Sequence, residues 1–190
     1  MSAQLSPRVK ELIAKARIVS FEGWQDQFGD GAIATLQTAD DERTYLSDAL
    51  LESMPASHIA RSLRDHASAI VDIARAQVLE EFPGITEPGG GLYPAIRADA
   101  CWRDFWHFLR CITYGIAAQR TDYTSTTGLS YMEQLYQELQ VPLGAMVFGL
   151  KSLKTVSKHH LAQLGVTVND DQLDPYFDHL IQALSQFQTT

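Results

Sequence analysis

Long apolar runs are missing from this sequence. None approaches the ~20 residues that a bilayer-spanning helix needs, so no transmembrane segment is expected. Basic charge is scarce, with 15 Lys and Arg against 23 Asp and Glu, a net charge of -8 and a pI near 5.1. No basic stripe is available to neutralise phosphates, which argues against a nucleic-acid partner. Cysteine is limited to Cys101 and Cys111. On one helix these would lie roughly 15 Å apart, too far for a disulfide, so each thiol needs its own explanation. Sustained period-two alternation is absent, and no strand is predicted. The six histidines have no metal-ligand spacing: His159 and His160 are adjacent and point about 100° apart on a helix, and His58, His66 and His179 are scattered. The glycines of "PGGG" follow no strand and open no phosphate-binding loop. The N-terminal "MSAQLSPRVKELIAKARIVSF" interleaves its apolar residues with Lys10, Lys15 and Arg17, unlike a signal peptide, and a cytoplasmic protein is expected.

What remains is an ordinary globular composition, 45% hydrophobic and 20% charged over 190 residues, enough for one domain with a real core. Helical periodicity dominates. Ser6-Pro7 opens a short amphipathic helix with Val9, Leu12, Ile13 and Ala16 at helical spacing. Residues 21–39 carry three glycines and read as loop with a helical piece. "DERTYLSDALLESM" is expected to be helical up to Pro55, and Ser57 to cap one long helix running to Phe82. Pro83-Gly84 ends it, and "EPGGGLYP" is a turn-rich connection. A second long helix is predicted from Ala95 to Ala118, followed by a Ser/Thr-rich loop and three more helices. The expected class is all-α with six to eight helices: an N-terminal helical segment over 1–57 that contains an insertion, and a core over 58–190.

The predicted Ala95–Ala118 helix collects the candidate chemistry. Cys101, Asp104, Phe108, Cys111 and Gly115 fall near one face, with Arg97 a turn before Cys101. Periodicity alone leaves Cys101 either a small buried hydrophobe beside an ion pair or a functional thiol. A cysteine hydrolase would need a positioned His and an orienting group that nothing local supplies, so an enzyme is not expected. His107 is either a hydrogen-bonded helical residue or an iron ligand of a globin-like haem site. Trp102 and Trp106 form an aromatic stripe suited to packing.

Motif spacing adds a sharper reading. "PGGGLY", then eight residues from Tyr93 to "CWRD", then "FLRCITYGIAA", then "GLSYMEQLYQELQVP" closely resembles the phycobiliprotein family, the bilin-bearing α and β subunits of phycobilisomes in cyanobacteria and red algae, and most of all the allophycocyanin type. The matching residues are Pro88, Gly89, Gly90, Tyr93, Cys101, Arg103, Asp104, Leu109, Arg110, Thr113, Tyr114, Gly128, Leu129, Tyr136 and Pro142, without a gap. "YFDHLIQAL" also resembles the family's last helix.

The resemblance implies a globin-like fold carrying phycocyanobilin or a related linear tetrapyrrole through a thioether to Cys101. It gives Asp104 the central pyrrole nitrogens, Arg103 and Arg97 the propionates, and places Tyr93 and Tyr114 at the same site. The implied function is light harvesting, with other phycobiliprotein subunits, phycobilisome or photosystem components, or further copies of the chain as partners, at the cytoplasmic face of the thylakoid membrane. The alternative is a pigment-free or weakly pigmented assembly or regulatory factor of the photosynthetic apparatus. Several positions depart from the pattern. Gly91 stands where β subunits carry a methylated Asn, and Ala118-Gln119-Arg120 where the family has A-G-D. Trp106 and His107 replace an Asp-Tyr-like pair. Ile13 aligns with the Asp that pairs with the L-R arginine across the αβ interface, which leaves Arg110 without that partner, and about twenty extra residues are expected between Arg17 and Cys101.

Overall fold

The computed structural model describes residues 5–188. Among them it is all-α, with nine α-helices and two short 3-10 turns. Helix α1 spans Pro7–Lys15, where the Ser6 hydroxyl accepts from the Val9 amide and Pro7 supplies a first-turn residue that needs no amide partner. It buries Val9 and Leu12. The chain then runs extended through Val19, which forms an isolated antiparallel bridge with Thr124. A 3-10 turn at Trp24–Asp26 follows, and then α2 at Asp30–Asp41 and α3 at Asp48–Glu52.

The helix expected over residues 41–54 survives only as α3. Arg43 turns into the left-handed region at φ 56. Tyr45 beyond it packs edge-on against Trp106 at 4.7 Å and donates to the Trp106 carbonyl. Those tertiary contacts outweigh helix propensity. The long helix expected from Ser57 to Phe82 is likewise two, α4 at Ser57–Asp65 and α5 at Ala67–Glu81. The break is at His66, whose Nδ1 lies 2.9 Å from the Ser62 carbonyl and whose ring rests on His160. Ser57 starts the helix without capping it.

Helix α6, Ala95–Ala118, coincides with its predicted bounds and is buried at every residue from Phe108 to Ala118. It ends on Gln119 in the left-handed conformation. Helices α7 (Thr126–Glu138), α8 (Leu143–Gln163) and α9 (Asp174–Ser185) complete the chain. α5 lies along α8, α4 on α6, α8 against α9, and α1 on α7. Close approach of α6 and α8 is set at Gly149, where a Cβ would stand 2.1 Å from Phe105 Cζ. A continuous cluster of buried residues extends from Val19 to Leu184. Arg120, where the family has Asp, is a clasp: it pairs with Asp26 at 2.6 Å and Asp122 at 2.7 Å and donates to the Gly23 carbonyl, tying the 3-10 turn to the end of α6.

Candidate functional site

One face of α6, the second half of α7 with the joint that leads to α8, the end of α2, and α1 with the segment after it enclose a cleft of about 420 Å³. Cys101, Asp104, Arg97 and Arg103 all line it. Helical spacing puts the first two on one face, one turn apart. Cys101 is 5% exposed. Burial, and then the neighbouring Asp104 carboxylate, push its thiol up to about 12 against the opposing effect of Arg97. At neutral pH it is therefore a thiol.

Asp104 accepts a hydrogen bond from the Tyr136 hydroxyl at 2.8 Å. Burial raises its pKa to about 6, although that bond and the charges of Arg103 and Arg43 act in the opposite direction. Arg97 donates to the carbonyls of Gly91 at 3.1 Å and Gln140 at 3.0 Å, stapling the glycine turn to the α7–α8 joint. His107 also lines the cleft. Burial, then Arg110, Arg43 and Arg103, depress it to about 4, and its Nδ1 accepts from Arg110 Nε at 3.3 Å. A ring hemmed by three guanidiniums is a poor ligand environment for an iron cation. No group of three or more His, Cys, Asp or Glu suited to a metal occurs among the described residues.

Tyr93 and Tyr114 do not line the cleft. Tyr93 is 48% exposed. Tyr114 is fully buried one layer behind Arg110, from which it accepts at 3.0 Å, and it donates to the Thr44 carbonyl. Cys111 is fully buried in the core, as a packed residue should be.

Arg110 is not left without a partner. Its Nη1 lies 2.9 Å from Asp40 Oδ1, with both side chains about 95% buried. Ile13 instead forms part of the cleft wall. Sequence reasoning missed Asp40 because its relation to Arg110 depends on how α2 folds back, 70 residues upstream in the chain. It also gave no role to Arg43 or to Tyr136, whose hydroxyl meets Asp104 from another helix. Tyr136 was visible as a motif position, but helical spacing relates only residues on the same helix.

The cleft thus has five arginines against two aspartates, in a chain whose net charge is -8. The sequence model of a family described as Phycobilisome protein matches residues 34–184. The chain belongs to that family. It is 32% identical over 157 residues to allophycocyanin subunit alpha-B of a Synechocystis species, covering 77% of this chain and 94% of the relative. It is 33% identical over 127 residues to allophycocyanin subunit beta-18 of a Nostoc species, covering 67% and 75%. Among solved structures it is similar to a far-red fluorescent biliprotein derived from a far-red induced allophycocyanin F subunit of Chroococcidiopsis thermalis. The TM-score is 0.63 and the identity 27%, over 68% of this chain and 95% of that one. The helical fold is therefore the globin-like fold of phycobiliproteins, as the motif resemblance implies. Asp40 lies inside the matched segment, whereas α1 and the 3-10 turn precede it.

Proposed function

We propose that this phycobilisome protein is a light-harvesting biliprotein that carries a linear tetrapyrrole, phycocyanobilin or a close relative, in the α6–α7 cleft. One observation carries the reading: Cys101 and Asp104 line the same cleft, and the other charges around them are mostly guanidiniums. That donor set fits the group. Cys101 Sγ is the thioether position. Asp104, raised in pKa and held by the neutral Tyr136 hydroxyl, is a carboxylate suited to a cation such as a protonated pyrrole. Arg103 and Arg97 suit propionates because a planar fork pairs with a carboxylate bidentately. Arg97 already bridges two backbone carbonyls, so its charge is held at the rim.

When bound, the pigment supplies visible absorption and emission. The chain's task is to keep it extended, fixed and away from water, which makes the function light capture and not turnover. Because the Cys101 thiol is buried and stays protonated at neutral pH, attachment requires opening of the cleft and an external base, as a bilin lyase would provide. Other phycobiliprotein subunits at the thylakoid surface are the partners this reading implies. Among the described residues no helix is long and apolar enough to cross a membrane.

The test is co-expression with a bilin supply and a panel of lyases, followed by zinc-enhanced fluorescence on a denaturing gel. Covalent pigment is expected on the wild-type chain and on Cys111→Ala, and none on Cys101→Ala. No covalent pigment with any lyase would sink the proposal.

A further inference from the structure

The residues that precede the family-matched segment do not trail away from the fold. Val9 and Leu12 of α1 are buried where α1 packs on α7. Arg8 donates to Gln134 at 2.6 Å, and the Lys15 ammonium sits over the Tyr131 ring at 5.2 Å. Beyond α1 the extended chain is pinned by three backbone hydrogen bonds: Arg17 N to Gly128 O at 3.3 Å, Ser125 N to Ile18 O at 2.7 Å, and Ser20 N to Tyr123 O at 2.9 Å. Gly128 makes this approach possible, because a Cβ there would lie 2.3 Å from the Arg17 carbonyl oxygen. The same strap puts Ile13, Ala16, Arg17 and Ile18 into the wall of the cleft that holds Cys101 and Asp104. Arg17 also reaches Asp41 at 2.9 Å, closing the strap onto α2.

We propose that residues 5–20 are a built-in cover of the ligand cleft, so that a single copy of the chain shields and fixes what the cleft holds without a second chain on this face. The inference rests on the pigment reading for the identity of the ligand and on the geometry alone for the cover. Three features make the strap a separable element. Its helix docks through one apolar patch on α7, the extended part is held by few backbone bonds, and Val9 and Leu12 lie outside the main buried cluster, which the strap joins at its far end through Val19. Such an element opens locally at lower cost than the core. Opening would expose the cleft for loading, and closing would exclude water afterwards.

The test uses the full chain without pigment. Met132, on α7, lines the cleft and is 6% exposed, so Met132→Cys in a Cys101→Ser background reports on access to the cleft while Cys111 stays silent in the core. Leu12→Asp forces α1 off α7, because a buried unpaired carboxylate is too costly to retain. Gly128→Ala dislodges the strap by backbone collision, at a helical position where Ala would otherwise stabilise. With helicity retained by far-UV circular dichroism, maleimide labelling of the reporter thiol is expected to accelerate at least about ten-fold in both. If Leu12→Asp does not fold, Gly128→Ala decides. Labelling within about two-fold of the parent overturns the cover. Since no pigment is present, a failure here leaves the zinc-fluorescence result standing, and an absence of covalent pigment leaves this one standing.

Discussion

A carboxylate that the apo protein would be better without is a sharp test of the site. Asp104 has its pKa raised from 3.8 to about 6, chiefly by burial. An acid so displaced binds its proton more tightly in the folded than in the unfolded chain, so ionising it costs folding free energy. The sign is opposite to that of a salt-bridged carboxylate. The cost is absent below 3.8, grows as pH rises between 3.8 and about 6, and is complete above about 6. At ~1.4 kcal/mol per tenfold change in the ionisation equilibrium the displacement amounts to an upper value of roughly 3 kcal/mol. Asp104→Asn keeps an oxygen that can accept from Tyr136 and removes the charge. In pigment-free protein it should raise stability by about 1 to 3 kcal/mol at pH 7.5 and by almost nothing at pH 4. Urea unfolding of both chains across this range isolates the effect, because every other titrating group cancels in the difference. A stability difference that does not change between pH 4 and 7.5, or a less stable variant at pH 7.5, would refute the reasoning. On the pigment proposal the cost is offset by a cation in the filled cleft, so in pigment-loaded protein the same substitution should weaken absorption in the red.

Three further outcomes follow from the packing. Asp40→Asn leaves Arg110 charged and buried without its counter-ion, and should cost about 3 to 5 kcal/mol in chemical denaturation; a cost below about 1 kcal/mol would mean that the pair is not buried as described. Gln119→Gly relieves the left-handed residue that ends α6 (φ 54) and should stabilise by up to about 1 kcal/mol, read as a rise of roughly 2 to 4 °C in Tm. Gly149→Ala should destabilise by about 1 to 3 kcal/mol, because its Cβ meets the Phe105 ring deep between α6 and α8; unchanged Tm would show that the α6–α8 crossing can widen freely.

The long helices were legible because their signals are local. α6 carries an uninterrupted apolar face between Pro94 and Gln119, and Ser6-Pro7 is a start signal with a direct physical basis. Residues 41–66 were less legible because their conformation is decided from outside. Tyr45 is drawn to Trp106 and His66 to Ser62 and His160, and none of these relations has a sequence period. The site divides in the same way. Cys101 and Asp104 share a helix, so spacing finds their common face. Tyr136, Arg43 and Asp40 reach the site from other elements, and only the folded chain brings them there.

The departures from the family pattern are accommodated within the chain itself. Ile13 precedes the family-matched segment and serves as apolar wall of the cleft, whereas Asp40, inside that segment, neutralises Arg110 within the same chain. Arg120 in place of an Asp suggests a broken turn, yet it gathers Asp26, Asp122 and the Gly23 carbonyl and so anchors the segment that follows the strap. Gln119 in place of a Gly retains the left-handed turn at some cost in strain. Arg120 thus substitutes intrachain contacts for a missing motif residue, at a place where the N-terminal segment meets the core. Burying an ion pair such as Asp40–Arg110 contributes little net stability but strongly penalises any arrangement that separates the two charges. A chain built in this way favours the arrangement in which its own α2 stays closed over the cleft, and an incoming subunit that pulled Asp40 away would have to supply an equivalent carboxylate to Arg110.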